Sequence, residues 1–445
     1  MNSSVLLRIL LLHAFAWVVY CDTALAAEKP NIVYILADDL GWRDPAFRGG
    51  AALTPNLDKL AAAATSLNQF YVQPYSTQTR AALLTGRYPM RYGLQTQSIL
   101  PSSQYGLPTE ERTLAQGLKA AGYRTAFIGK WQLGHSNAEY WPTRRGFDYF
   151  YGSLSGDIEY TLKKTAKNDW RRMEQPFKED GYVSTLLGNG AAAWIEKHDS
   201  GTPFFLLLAF AAPQGNASAP KLYLDKYASE KDETRRNYLA AISALDDAVG
   251  SVLASLQKKQ LIEKTLIVFH SDNGGAVPTK FATGDGDVKK AVANNDVLRD
   301  GVGSLYEGGV RGFALVQWPG KVAEKIVSSD IVHVSDMYPT LLKLAGGKLE
   351  QAKPLDGVDI WPVLAERQLS PRKEVLINVE DLRGAIRVGE WKLIVHAALP
   401  SRVELFQLSS DPEEAENRAE QNAERIKEML AALNKYAYDM APAKY

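Results

Sequence analysis

Lys29-Pro30-Asn31-Ile32-Val33-Tyr34-Ile35-Leu36-Ala37-Asp38-Asp39-Leu40-Gly41 is the stretch that sets the fold class. A continuous apolar run bounded by polar residues reads as a strand buried on both faces, as in a parallel sheet. Two adjacent aspartates end it. A second β-rich run, Thr265 to Phe269, ends in His270-Ser271-Asp272-Asn273-Gly274-Gly275. Between these runs, 124–129 and 203–210 read as strands. Residues 55–65, 109–121 and 232–258 carry helical spacing, the last with a charge-balanced polar face. Strands alternating with helices predict an α/β sandwich built on a large mixed, mainly parallel sheet. Ligands of such sheets sit beyond the carboxyl ends of the strands, and both acidic clusters lie at such ends.

The texture changes near residue 375. Val375 to Val379 and Ala385 to Val395 read as short antiparallel strands, and 415–437 as a helix rich in Ala, Glu and Lys. This predicts a small C-terminal α+β subdomain over 375–445, packed on a main unit over 27–374. The charge run Asp411-Pro412-Glu413-Glu414-Ala415-Glu416 reads as a solvated helix start. At the other end, Arg8 precedes an apolar stretch over 9–20 that is short for a membrane span. Thr23-Ala24-Leu25-Ala26-Ala27 then supplies small residues, so 1–26 is expected to be a secretory signal peptide. Its removal takes away Cys21, the only cysteine, and with it any thiol nucleophile, disulfide or thiolate ligand. An exported protein without disulfides suits a bacterial periplasm or exterior, with no stable membrane anchor. Asn216-Ala217-Ser218 is a glycosylation sequon, which matters only in a eukaryotic secretory pathway.

Composition narrows the function classes. The chain has 445 residues, with 51 Lys+Arg against 51 Asp+Glu. Zero net charge removes the broad footprint of a nucleic-acid binder. With 9 Trp, 21 Tyr and 14 Phe, it is too aromatic for a disordered chain. The chemistry begins with the aspartates. Asp38, Asp39, Asp272 and Asn273 offer hard oxygen donors at two strand ends, a set that suits Ca²⁺ or Mg²⁺; strand-end turn chemistry is the alternative. Ser76-Thr77-Gln78-Thr79-Arg80 places a hydroxyl and an arginine at a predicted helix N-terminus, where free N–H groups favour anions.

At this point the chain resembles the sulfatase family, in the alkaline-phosphatase-like superfamily. The resemblance rests on Ile35 to Trp42, Thr54-Pro55-Asn56-Leu57-Asp58, Ser76 to Tyr88 and Gly129-Lys130-Trp131-Gln132-Leu133-Gly134. It continues through Pro142-Thr143-Arg144-Arg145-Gly146-Phe147-Asp148, which looks closest to the arylsulfatase B branch acting on sulfated glycosaminoglycans. Ser271 to Gly275, Leu305 to Arg311 and Glu404-Leu405-Phe406 complete it. The resemblance implies an alkaline-phosphatase-like sandwich and a calcium-bound formylglycine, made from a cysteine or serine, that attacks sulfur. By position, Asp38, Asp39, Asp272 and Asn273 match the calcium ligands, Ser76 the nucleophile, Arg80 the motif arginine and Lys130 the lysine of the Gly-Lys-Trp motif.

Four positions depart. Gln78 replaces the proline of the maturation motif, so conversion of Ser76 to formylglycine is not expected. Gln132 and Gln214 stand where histidines are usual, and Val302 stands in place of a second lysine. Glutamine hydrogen-bonds but transfers no proton, and an unmodified serine without a base is a weak nucleophile. Each such loss costs about 10²–10⁴ in rate. Further candidates are His270 as a base, His135 at the pocket mouth, Asp157 and Glu159 as specificity or catalytic carboxylates, and Asp300 as a new acid. Glu307 is expected to brace its loop with Arg311. Trp42, Tyr75, Trp131, Trp141 and Tyr160 are either stacking platforms or core. The expected protein is a diverged sulfatase-family hydrolase of sulfated or otherwise anionic oligosaccharides. A glycoside hydrolase on the same scaffold and a non-catalytic glycan-binding relic are the alternatives.

Overall fold

The computed structural model describes residues 29–165, 169–199, 201–215, 217–278 and 290–444. The expected signal peptide over 1–26 and Asn216 lie outside these residues. The main sheet is built from β1 (Asn31–Asp38), β2 (Thr65–Tyr71), β3 (Arg124–Lys130), β4 (Tyr149–Ser153), β5 (Trp170–Arg172), β6 (Gln175–Pro176), β7 (Phe204–Pro213), β8 (Thr265–Ser271), β9 (Arg311–Gln317), β10 (Ile326–Ser328) and β11 (Val332–His333). Its order is β10-β2-β9-β8-β1-β7-β3-β4-β5-β6, with β11 also paired to β2. The central five strands, β8-β1-β7-β3-β4, are parallel. Antiparallel neighbours, β9 on one side and β5 on the other, flank them.

β1 is buried along its whole length, as its unbroken apolar run requires. Strand side chains alternate, so Ile32, Tyr34 and Leu36 enter one core while Val33, Ile35 and Ala37 enter the other. The first core is covered by α2 (Ser76–Thr85), α3 (Leu114–Ala120) and α6 (Met337–Leu344). The second is covered by α1 (Pro55–Ala62), α4 (Val183–Lys197) and α5 (Glu233–Lys258). Among the described residues, α5 alone is long and apolar enough to cross a membrane, yet 72% of its apolar window is buried inside the protein. It is a core helix.

Two helix boundaries differ from the sequence reading. α3 begins at Leu114 rather than near 109, because Thr113 caps it: the Thr113 hydroxyl accepts from Gln116 N while Gln116 accepts from Thr113 N. α1 ends at Ala62 rather than 65, since Thr65 opens β2. The C-terminal unit is a four-stranded antiparallel sheet, β12 (Glu374–Val379), β13 (Arg383–Val388), β14 (Trp391–His396) and β15 (Arg402–Gln407), with α7 (Ala423–Tyr438) against it. The short antiparallel strands expected over 385–395 form a hairpin, turned at Gly389, which holds φ 58°.

The predicted helix over 415–437 starts eight residues late. Asp411 accepts from Ala415 N and Glu416 N and holds a turn instead. The same turn carries Glu414 inward. Far from being part of a solvated helix start, Glu414 is fully buried against Lys392, 2.9 Å away. Lys392 also reaches Glu307 at 2.9 Å, which makes Lys392 the main partner of Glu307 and Arg311, at 3.6 Å, a secondary one. This cluster joins the C-terminal sheet to the helical turn Glu307–Val310 just before β9.

Candidate active site

Two consecutive strand residues normally point to opposite faces. Asp38 and Asp39 escape that rule because Asp39 leaves β1 in the left-handed region, at φ 59°, after a register shift between β1 and β7. Asp39 N donates to Asp272 Oδ1 at 3.3 Å, and Asp272 N donates to Ala37 O at 3.0 Å. The ends of β1 and β8 are thereby stitched together, and oxygens of Asp38, Asp39 and Asp272 fall within 4.8 Å of one another. Asn273 donates through Nδ2 to Asp39 Oδ1 and accepts from Ser76 Oγ at 3.2 Å.

α2 is buried at every residue. Ser76 opens it, and Arg80 follows one turn later on the same side. Ser76 Oγ also donates to Asp38 Oδ1 at 3.3 Å. Arg80 Nη2 lies 3.1 Å from Asp38 Oδ2 and 2.9 Å from Asp272 Oδ2, while Nη1 donates to Lys130 O at 2.6 Å. Lys130, at the end of β3, puts Nζ 2.6 Å from Asp38 Oδ2 and donates to Gln214 Oε1 at 2.7 Å. The chain thus brings together Asp38, Asp39, Asp272, Asn273, Ser76, Arg80 and Lys130 from three strand ends and one helix N-terminus.

The electrostatics ask for a further cation. Three buried carboxylates face two buried cations. Burial, followed by repulsion from Asp38 and Asp272, pushes the Asp39 carboxyl well above its usual range. Burial and then Asp38 push Asp272 up to about 6 against the pull of Arg80 and Lys130. Oxygen-only donors, clustered and undercompensated, fit a divalent hard cation.

A cavity of about 790 Å³ lies over this centre. Gln132 and Gln214 line it, together with Asp157, Glu159, Tyr160 and Lys163. Ser76, Arg80 and Lys130 do not; the bond from Lys130 to Gln214 links the centre to the cavity. Gln132 takes φ 53°, with its carbonyl held by Thr77 Oγ1 at 3.1 Å and its N–H by Leu154 O at 3.0 Å. Tyr160 OH donates to Gln214 O at 2.7 Å. A smaller cavity of about 200 Å³ shares Pro101, Asp157, Ile158 and Glu159, so the segment carrying the two carboxylates partitions the cleft. Asp169 anchors that segment, with Oδ2 accepting from Leu154 N and Ser155 N at 2.9 Å each.

Three candidates lie elsewhere. His270 is fully buried, with Nε2 2.7 Å from Tyr34 OH and Nδ1 facing its neighbour's carbonyl. Burial lowers its pKa to about 4, so it is a neutral core histidine that does not reach the centre. His135 Nε2 contacts Pro101 O at 2.9 Å, and His135 does not line the cavity. Asp300 takes φ 61°, and its carboxylate accepts from Ser304 Oγ at 3.2 Å; it shapes the 300–304 turn and does not line the cavity. Val302 N donates to Gly275 O at 3.2 Å, and its side chain packs against the second core. Gln78 is fully buried and donates to Gln95 O, a scaffold bond in place of a motif proline. Trp131 is core, Trp42 packs beneath Arg48, and Tyr160 alone of the five aromatics lines the cavity. Lys163, Gly156 and Asp169 escaped the sequence reading, because nothing local marks loop residues that meet only through the fold.

Comparison with known proteins bears on the family and the fold. The family model described as Sulfatase matches residues 30–347, and that described as N-sulphoglucosamine sulphohydrolase, C-terminal, matches 303–439. Mouse (Mus musculus) arylsulfatase J is 30% identical, covering 94% of this chain and 77% of its own. Human (Homo sapiens) arylsulfatase A is 33% identical, covering 82% and 75%. The crystal structure of Ps i-CgsB in complex with k-i-k-neocarrahexaose superposes with a TM-score of 0.85 at 31% identity, covering 94% of this chain and 95% of that one. PsFucS1 sulfatase from Pseudoalteromonas sp. gives 0.75 at 27%, covering 93% and 92%. With its acidic centre at the strand ends and the family match over most of its length, the chain belongs to the sulfatase family.

Proposed function

We propose that the protein is an exported hydrolase of sulfated or otherwise anionic glycans that works without formylglycine. The observation that carries this reading is the intact polar centre, Asp38, Asp39, Asp272, Asn273, Ser76, Arg80 and Lys130, set beneath a cavity large enough for sugar rings. Ps i-CgsB, similar over nearly the whole chain, binds a neocarrahexaose, and N-acetylgalactosamine-6-sulfatase, 31% identical in its human form, is named for a sulfated sugar. Both support a sulfated glycan as the substrate class here.

Ca²⁺ is the cation this reading assigns to Asp38, Asp39, Asp272 and Asn273; when bound it offsets their charge and supplies Lewis-acid polarisation. The chain's own residues do the rest. Arg80 ties Asp38 to Asp272 and fixes their spacing. Lys130 holds Gln214 by its oxygen, and Gln214 with Gln132 orients sugar hydroxyls in the cavity. Ser76 stays an alcohol, because the maturation position carries Gln78, tied to Gln95 O.

One observation favours glycosidic cleavage as the second reading. Asp157 and Glu159 are exposed carboxylates in the cavity wall, the residue type that supplies acid and base to glycosidases. The test is product mass on carrageenan and chondroitin sulfate oligosaccharides. A product lighter by a sulfo group means ester hydrolysis, a product shortened by a sugar means glycosidic cleavage, and an unchanged oligosaccharide overturns the hydrolase reading.

A further inference from the structure

Resting on the reading that the cavity takes an anionic glycan, we infer that its inner end receives an unsulfated, hydroxyl-bearing sugar ring, read by Gln132 and Gln214, and that the glycan's sulfates stay nearer the rim.

Gln214 has a fixed orientation. A lysine ammonium only donates hydrogen bonds, so its 2.7 Å contact with Lys130 Nζ holds Gln214 Oε1 inward and turns the Nε2 donor the other way. Gln132 is nine-tenths buried, yet its Oε1 has no hydrogen-bond partner among the described residues. Its Nε2 lies against Gly156, where a Cβ would come within 2.2 Å. A left-handed backbone, an unpaired carboxamide and a glycine that makes room for it together place Gln132 for a ligand rather than for the fold.

The two amides offer both a donor and an acceptor. A sugar hydroxyl, which is itself both, satisfies the pair; a sulfate ester only accepts and leaves the Gln132 oxygen unmet. Charge points the same way. Arg80 and Lys130, the cations nearest the floor, are engaged with Asp38 and Asp272 and do not line the cavity. Among the described lining residues Lys163 is the one cation, exposed, against Asp157 and Glu159. Counting the described side chains alone, an anion meets its lining cation at Lys163 and not at the inner end, where Arg80 and Lys130 are already paired.

The experiment uses the full-length protein and matched oligosaccharides of carrageenan and chondroitin sulfate, each with its non-reducing terminal residue sulfated or with that one sulfate removed. Binding is followed by calorimetry and turnover by product mass. The expected result is at least tenfold tighter binding, or tenfold higher kcat/KM, for the form lacking the terminal sulfate. Gln132→Asn shortens the amide at a backbone conformation that asparagine tolerates, and should erase most of that preference without lowering the melting temperature. Gln132→His, also compatible with φ 53°, should shift selectivity toward the terminally sulfated form. Equal or stronger binding of the terminally sulfated form by the native protein overturns the inference and leaves the glycan reading standing. A preference unchanged in both variants also overturns it. Failure of every oligosaccharide to bind overturns the glycan reading and the inference together.

Discussion

Lys392→Met should be among the most destabilising single changes in the protein, although it touches neither the cavity nor the acidic centre. Lys392 is fully buried between Glu307 and Glu414, at 2.9 Å from each. Glu307 is further held by Tyr71 OH at 2.7 Å, while Glu307 N donates to Glu414 Oε2 at 2.6 Å. Arg311 and Arg387 complete the surroundings, Arg387 through Tyr71. Methionine fills similar volume but leaves two carboxylates facing each other without their shared cation. Breaking a buried ion pair on one side costs about 3–5 kcal/mol.

The pH dependence is the sharper part of this prediction. Burial, aided by Glu307 and opposed by Lys392, pushes Glu414 up to about 7, against 4.5 for an ordinary glutamate. A carboxyl with a raised folded pKa binds more protons folded than unfolded, so its contribution is present below pH 4.5 and lost as pH rises through 7. The span amounts to about 3 kcal/mol. Burial raises Glu307 too, but Lys392, Arg311 and Arg387 outweigh it and hold Glu307 below its usual range; that contribution is lost as pH falls below 4.5. Glu414→Gln should therefore flatten the decline in stability between pH 5 and 7, and should recover part of the Lys392→Met loss when combined with it. Urea unfolding at several pH values measures both. A Lys392→Met cost under 0.5 kcal/mol, or an unchanged slope in Glu414→Gln, would refute the reasoning.

Three other expectations follow from the site. The peptide containing Ser76, taken from protein made in a host with formylglycine maturation, should have its unmodified mass; a deficit of about two mass units would restore the family's usual nucleophile. Ca²⁺ should raise the melting temperature in proportion to the logarithm of its concentration and a chelator should lower it, whereas an unchanged curve with no divalent ion by elemental analysis would make the aspartates a hydrogen-bonding cluster. Gly156→Ala should cut turnover at least tenfold by driving its Cβ into Gln132, with normal folding by circular dichroism; full activity would remove Gln132 from the recognition surface.

The sequence made the framework legible where one residue type dictates the outcome locally. An unbroken apolar run has few fates other than a central strand, and aspartates at its end have few places to go but the sheet's carboxyl edge. Motif matching then located Ser76, Arg80 and Lys130, which lie far apart in the chain and meet only in the folded sheet. What stayed hidden depended on long-range packing. Glu414 sits in a run of charges that looks solvated, and only the position of Lys392 in β14 draws it inside. His270 sits two residues from Asp272, and nothing in that spacing tells that its ring turns toward Tyr34. The cavity wall comes from segments around 99–101, 156–163, Gln214-Gly215 and Ser218, which carry no shared pattern.

The central claim, hydrolysis of an anionic glycan by a site that retains the family's acidic centre, is tested most directly by the mass of sulfated oligosaccharides after incubation with the native protein and with Asp272→Asn. The account predicts a new hydrolysis product from the native protein and none from Asp272→Asn, which lacks one of the three carboxylates of the centre. Oligosaccharides left unchanged by the native protein, or cleaved equally by the variant, would contradict it.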